Sequence, residues 1–188
     1  MSQQITLSEL SPANFTAWID RFMAIYTGAM NPPERQLAGR EQIMAGHAVN
    51  PHFRAIAALD GNQSVVGFVY GFHGETGQWW HDMVAGALAT ANGAFAWLAD
   101  SFEVAELHVL PPWQGYGIGR SLLLSVTAGR PERTAVLSTH DKDSAARHLY
   151  RSSGFTDLLT GFRFSGGDPA YAVMGAELPL RDPRPSAS

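Results

Sequence analysis

No cysteine occurs anywhere in this 188-residue chain. That excludes a disulfide framework, a thiolate-bound metal or iron–sulfur site, and any thiolate nucleophile. Lysine is almost absent too, since Lys142 is its single instance and the other basic residues are scattered arginines. With 13 basic against 17 acidic residues and a formal charge of -4, the chain has no basic footprint for displacing counterions from nucleic-acid phosphates. Long apolar runs are missing as well. The opening MSQQITLSEL has neither the basic region nor the apolar run of a signal peptide. The expectation is a cytoplasmic protein with no membrane and no nucleic-acid partner. The low charged fraction, 16%, favours self-association, and a homodimer is expected.

What is present is enough apolar residue for a buried core, 45% of the chain, in a length that suits one domain. The expected organisation is a single domain over 1–178 and a loose proline-rich tail over 179–188. Ile5 to Leu10 reads as an opening strand. Ser11-Pro12 reads as a helix start, followed by one apolar face through Phe15, Trp18, Ile19, Phe22, Ile25 and Tyr26. A second helix is expected over Arg35 to Val49. Phe53 to Leu59 and Val65 to Phe72, joined by Asp60-Gly61-Asn62, predict a hairpin. His73 to His81 reads as a loop, and Asp82 to Asp100 as a helix pair or one broken helix.

In the second half, Glu103 to Leu110 predicts a strand, Gly119 to Ala128 a helix, and Thr134 to Ser138 a short strand. Asp143 to Ser153 predicts a helix that buries Ala146, Leu149 and Tyr150 and is closed by Gly154. Phe162 to Phe164 and Ala170 to Leu178 predict two last strands.

The sharpest local feature is Gln114-Gly115-Tyr116-Gly117-Ile118-Gly119-Arg120, which follows an apolar strand and opens a helix. Close glycines let backbone amides approach a ligand, and a helix N-terminus presents unpaired N–H groups that suit an anion such as pyrophosphate. An ordinary glycine-rich turn is the alternative. Two templates do not fit. A P-loop needs lysine then serine or threonine after its glycines, whereas Arg120-Ser121 stands here. A dinucleotide fingerprint needs Gly-x-Gly-x-x-Gly near the start of a βαβ unit, which this spacing and position lack.

The segment Leu107-His108-Val109-Leu110-Pro111-Pro112-Trp113-Gln114-Gly115-Tyr116-Gly117-Ile118-Gly119 resembles the acyl-CoA-binding motif of the GNAT acetyltransferase superfamily, in its small bacterial type. Downstream, Asp143-Ser144-Ala145-Ala146-Arg147-His148-Leu149-Tyr150-Arg151-Ser152-Ser153-Gly154-Phe155 is similar to that family's second motif, in the right order. The likeness extends over roughly residues 53–178. It implies an α/β (α+β) fold, with a mixed, mostly antiparallel sheet of six or seven strands flanked by helices and two central strands splayed apart. It implies acetyl-CoA as acyl donor, with pantetheine along the backbone of Leu107, His108 and Val109 and pyrophosphate on the amides of Gln114 through Arg120. Asp143 stands where the family usually has asparagine. It either contacts the pantetheine arm or caps the helix beginning at Ser144.

The resemblance also implies the chemistry. An amine attacks the thioester directly, and without cysteine there is no acyl-cysteine intermediate. Tyr150 matches the family's proton donor to the departing thiolate, and a phenol with a pKa near 10 is suited to that; packing at helical spacing is its other reading. Glu106 is the candidate base, because an acid inside an apolar strand is expensive unless used or paired. Its alternative is a structural partner for an arginine. Glu103 is either a second acid or an exposed strand start, on the face opposite Glu106. His108 and His81 are further candidate bases, and a water relay is another. The histidines show no metal-ligand spacing, so no metal is expected. Trp79, Trp80 and Trp97 either line an acceptor pocket or pack in the core. The expected activity is N-acetylation of a small-molecule amine. The alternatives are an acyl-CoA-binding sensor, a protein or peptide N-acetyltransferase, or a structural α/β protein.

Overall fold

The computed structural model describes residues 4–91, 93–164 and 168–183. Its strands are β1 (Thr6–Leu10), β2 (Arg54–Leu59), β3 (Val65–Gly74), β4 (Ser101–Val109), β5 (Thr134–His140), β6 (Thr156–Phe162) and β7 (Tyr171–Glu177). They hydrogen-bond in the order β1-β2-β3-β4-β5-β7-β6. Strands β1–β2, β2–β3, β5–β7 and β6–β7 pair antiparallel, and β4 pairs parallel with β5. That parallel pairing joins Ser101–Glu103 to Thr134–Val136, the opening third of a 9-residue strand. The helices are α1 (Pro12–Ala17), α2 (Ile19–Met30), α3 (Glu34–Leu37), α4 (Arg40–His47), α5 (Trp79–Ala91), α6 (Ile118–Thr127) and α7 (Ala145–Ser152). The expected mixed, mostly antiparallel sheet is therefore present.

Two compact units divide the chain: Met1–Phe72 with Val104–Val126, and His73–Glu103 with Thr127–Ser188. In the first, Ser11 caps α1 as its sequence predicts, its Oγ accepting from Asn14 N at 3.1 Å. The single helix expected over 15–26 is instead broken at Trp18. There the backbone leaves helical geometry and Trp18 N donates to Phe15 O at 3.0 Å, a tighter 3₁₀-type turn. Past that kink, Phe15 and Phe22 stack at 5.1 Å and meet Tyr70 and Phe68 at 4.9 and 4.6 Å. All four are essentially fully buried. The second predicted helix is likewise split, into α3 and α4, at Ala38–Gly39. The predicted hairpin is β2–β3, and Asp60 Oδ1 closes its turn by accepting from Asn62 N and Ser64 N, each at 2.8 Å.

In the second unit, Val84, Leu88, Leu98, Val136, Leu158 and Val173 form the core. The loop expected over 73–81 is shorter than predicted, because β3 continues to Gly74 and α5 begins at Trp79. Asp82 accounts for the early start: both its carboxylate oxygens accept from Gly77 N at 3.1 Å, fixing the turn before the helix. The broken helix expected over 82–100 is α5 followed by a 3₁₀ turn over Ala94–Leu98. Strand β6 runs over Thr156–Phe162 rather than 162–164. It lies at the sheet edge and is mostly exposed, with only Leu158 buried, so its apolar signal is weak. Between the two last predicted strands residues 165–167, and in the tail those beyond residue 183, lie outside the described residues.

Candidate active site

Strand β4 leaves the sheet through a proline bend that is tied back to it. Trp113 N donates to Leu110 O at 2.8 Å, and the Gln114 side-chain amide donates to Val109 O at 2.8 Å. Gly115 and Gly117 then adopt φ of 83° and 81°, the left-handed region that other residues enter at a cost. No atom would lie within 4 Å of a Cβ at either position, so it is backbone conformation, not crowding, that requires glycine. Ile118 is buried and anchors the first turn of α6, while Gln114 to Gly117 are exposed. The first α-helical bond is Ser121 N to Gly117 O at 3.0 Å. The amides of Ile118 and Gly119 precede it and have no intrahelical acceptor. Such a turn fits a diphosphate, because the donors, the open approach and the helix N-terminus coincide in one unit.

Glu106 and His108 alternate onto one face of β4 and form a tight polar cluster with residues that the sequence did not single out. Glu106 Oε1 accepts from Arg40 Nη2 at 2.6 Å, and its Oε2 lies 2.5 Å from His108 Nε2. The Arg40 guanidinium also lies 3.8 Å over the ring of Tyr26, and Tyr26 meets His108 edge-on at 5.2 Å. His47 Nδ1 lies 3.0 Å from the Tyr70 hydroxyl. Burial pushes the Glu106 carboxyl up, but the His108 hydrogen bond and the charges of His108, Arg40 and His47 outweigh it and hold the carboxyl below its usual value. His47 is held below its ordinary value chiefly by burial; Glu106 works against that shift and Arg40 with it.

Glu103 is not an exposed strand start, since it is 5% exposed on the opposite face of β4. Leu107, His108 and Val109 are partly exposed, as a strand lined by a ligand requires. Tyr116 lies within the turn and is largely exposed, and Arg120 follows it in the first turn of α6.

In the second unit, Tyr150 is buried on α7, its ring edge-on to Phe155 at 5.7 Å. Ala146 and Leu149 are only partly buried, and the other buried position on α7 is Arg147. The guanidinium of Arg147 is satisfied by Asp141 and Asp157. Asp143 is exposed and does not cap α7. Ser144 takes that place, its Oγ accepting from Arg147 N at 3.2 Å. Serine wins because its extended backbone places the short hydroxyl under the first-turn amides. The three tryptophans divide. Trp97 packs in the core with Gly175 beneath its ring, and Trp80 Nε1 donates to Ser138 Oγ at 3.1 Å. Trp79 stays 64% exposed, 5.3 Å from Phe164.

No helix among the described residues is long and apolar enough to cross a membrane. The family model of the acetyltransferase (GNAT) domain matches residues 51–157. The GCN5-like protein acetyltransferase Rv2170 of Mycobacterium tuberculosis is 32% identical over 94% of this chain and 99% of its own length. Among solved structures, the ribosomal-protein-S18-alanine N-acetyltransferase of Escherichia coli has a TM-score of 0.65 at 17% identity, covering 96% of this chain and 97% of that one. The PaiA N-acetyltransferase of Thermoplasma acidophilum, solved with coenzyme A, has 0.61 at 13%, covering 93% and 99%. These two likenesses concern the fold. The family match and the full-length relative together make this chain a member of the GNAT family, an enzyme that transfers acetyl from acetyl-CoA to the nitrogen of an acceptor.

Proposed function

We propose that the protein acetylates a small-molecule primary amine by direct attack within a ternary complex, in the cytoplasm where acetyl-CoA is made and used. The observation that carries the donor half is the pair of left-handed glycines, Gly115 and Gly117, at the exposed start of α6. In this reading the amides from Gln114 to Arg120 hold the pyrophosphate, and the strand backbone over Leu107, His108 and Val109 aligns pantetheine. Asp143, exposed beside α7, lies along the same arm. The neutral amine forms its bond to the thioester carbonyl as the carbon–sulfur bond breaks. Its proton is drawn toward the Glu106–His108 pair, and the Tyr150 hydroxyl protonates the departing thiolate.

The exposed Trp79 ring against Phe164 supports an acceptor with an apolar or aromatic body. A protein lysine is the second reading, favoured by the relative named a protein acetyltransferase. Thiol release from acetyl-CoA, measured with phenethylamine, spermidine and a lysine peptide blocked at its α-amine, separates them. Turnover with phenethylamine above the peptide supports the first reading. Peptide turnover alone replaces it with the second, and binding of acetyl-CoA without transfer to any acceptor sinks both.

A further inference from the structure

Each oxygen of the Glu106 carboxylate already has a strong partner. Oε1 accepts from Arg40 at 2.6 Å and Oε2 faces His108 Nε2 at 2.5 Å. An ionised carboxylate only accepts, so at this separation His108 Nε2 carries the hydrogen, and in the neutral ring the lone pair is on Nδ1. No hydrogen-bond partner of His108 Nδ1 is present among the described residues. Arg40 is itself costly where it stands, as the first residue of α4, where the helix dipole disfavours a cation. Its Nε is buried with no hydrogen-bond partner. A cation held there against local preference has a reason in what it touches: Glu106 and the face of Tyr26.

Resting on the direct-transfer reading above, we propose that His108 Nδ1 is the atom that accepts the amine proton. Glu106 is then a positioning residue that fixes the tautomer and stabilises the imidazolium. Arg40 is a second positioning residue, fixing Glu106 in turn. In the step, the amine nitrogen gives its proton to Nδ1 as the nitrogen–carbon bond forms and the carbon–sulfur bond breaks. The thiolate takes a proton from the Tyr150 hydroxyl, and both side chains re-equilibrate with solvent. The depressed proton affinity of the Glu106 carboxyl agrees with this division, because a carboxylate so strongly stabilised is a weak base and a good counter-ion.

The groups facing His108 and its partner are Tyr26 from α2, Arg40 and His47 from α4, and Phe68 with Tyr70 from β3. Glu106→Gln weakens the bond that fixes the His108 tautomer, so kcat falls about tenfold with the KM for acetyl-CoA within twofold. Arg40→Gln loosens Glu106 and lowers kcat by a smaller factor, and Arg40→Lys restores it. His108→Gln lowers kcat about 100-fold with the KM for acetyl-CoA within twofold. Phenethylamine, or the panel amine turned over fastest, serves as acceptor.

Imidazole nitrogen NMR of the wild-type protein gives a readout that needs no turnover, and the expected state is the Nε2-protonated tautomer. The Nδ1-protonated tautomer, wild-type kcat in both Glu106→Gln and Arg40→Gln, or wild-type kcat in His108→Gln would each overturn the proposal. Loss of activity at every pH in Glu106→Gln, with His108→Gln active, assigns the base to Glu106 instead. A wild-type protein that binds acetyl-CoA but acetylates no amine overturns the transfer reading itself, and is told apart because NMR still reports the tautomer.

Discussion

Arg147 and Asp157 are joined by Nη2 and Oδ2 at 2.9 Å, while Nη1 of the same guanidinium holds Asp141 Oδ1 at 3.0 Å. One buried cation thus links α7 to the end of β5 and to β6, and Asp141 Oδ2 also accepts from Gly161 N at 2.7 Å. Arg147→Met leaves Asp141 without its cation and Asp157 with only the exposed Arg151, 2.9 Å away. It should lower the unfolding free energy by about 2–3 kcal/mol, measured by urea denaturation. A loss under about 0.5 kcal/mol would place the pair among ordinary surface bridges.

Tyr150→Phe keeps the ring packed against Phe155 and removes only the hydroxyl. In the proposed role, kcat falls about 100-fold and acetyl-CoA affinity stays within twofold. Steady-state kinetics with calorimetric binding decides it, and unchanged kcat removes Tyr150 as the acid.

Gly117→Val tests the donor turn. At φ of 81° a β-branched residue is strained by about 1–2 kcal/mol even though its surroundings are open. Acetyl-CoA affinity should drop at least tenfold, on the order of 1.4 kcal/mol. Unaltered affinity would mean that the pyrophosphate rests elsewhere.

Gly175 is a matter of space. A Cβ there would lie 2.9 Å from the Trp97 ring and 3.0 Å from Leu158 Cδ1. Gly175→Val should destabilise the protein by about 1–3 kcal/mol through overpacking, with a lower Tm by calorimetry.

Acidification should weaken the fold in two stages. His47 is held below its ordinary value of 6.5, so the folded state resists the proton that the unfolded chain accepts. Its stabilisation is present above that value and is lost as pH falls through the His47 pKa of the folded state. Glu106, held below 4.5, contributes stability that persists to lower pH and is lost as pH falls through its own folded pKa. Urea midpoints measured from pH 8 to 4 should decline below pH 6.5, and His47→Gln should reduce the first stage, to which His140, likewise held below 6.5 chiefly by burial, also contributes. A flat profile in the wild-type protein would contradict the His47 shift.

Local signals carried much of the fold. Ser11-Pro12 specified a helix start, Asp60-Gly61 a hairpin turn, and the glycines from 115 to 119 a helix-opening turn, because each is a short-range backbone preference. The break at Trp18 was invisible, since the periodicity of Phe15 through Tyr26 is that of one helix; only packing the rings of Phe15 and Phe22 on β3 required the kink. Strand β6 was missed because an edge strand hides half of its pattern in solvent.

The candidate site divides along the same line. Gly115, Gly117 and Tyr150 were legible because their spacing is sequential. Arg40 was not: it lies 66 residues from Glu106, and nothing near it in the chain announces the pairing. The sequence by itself determined the family, the glycine turn that opens α6 and the exclusion of cysteine chemistry, all consequences of residue type and short spacing. Only the tertiary structure decided the fate of its rare charges. It made Arg147 a clamp, gave the cap to Ser144 instead of Asp143, and committed both oxygens of Glu106. The reason is that burying a charge is costly without partners, and partners for a buried charge are chosen in space, not along the chain.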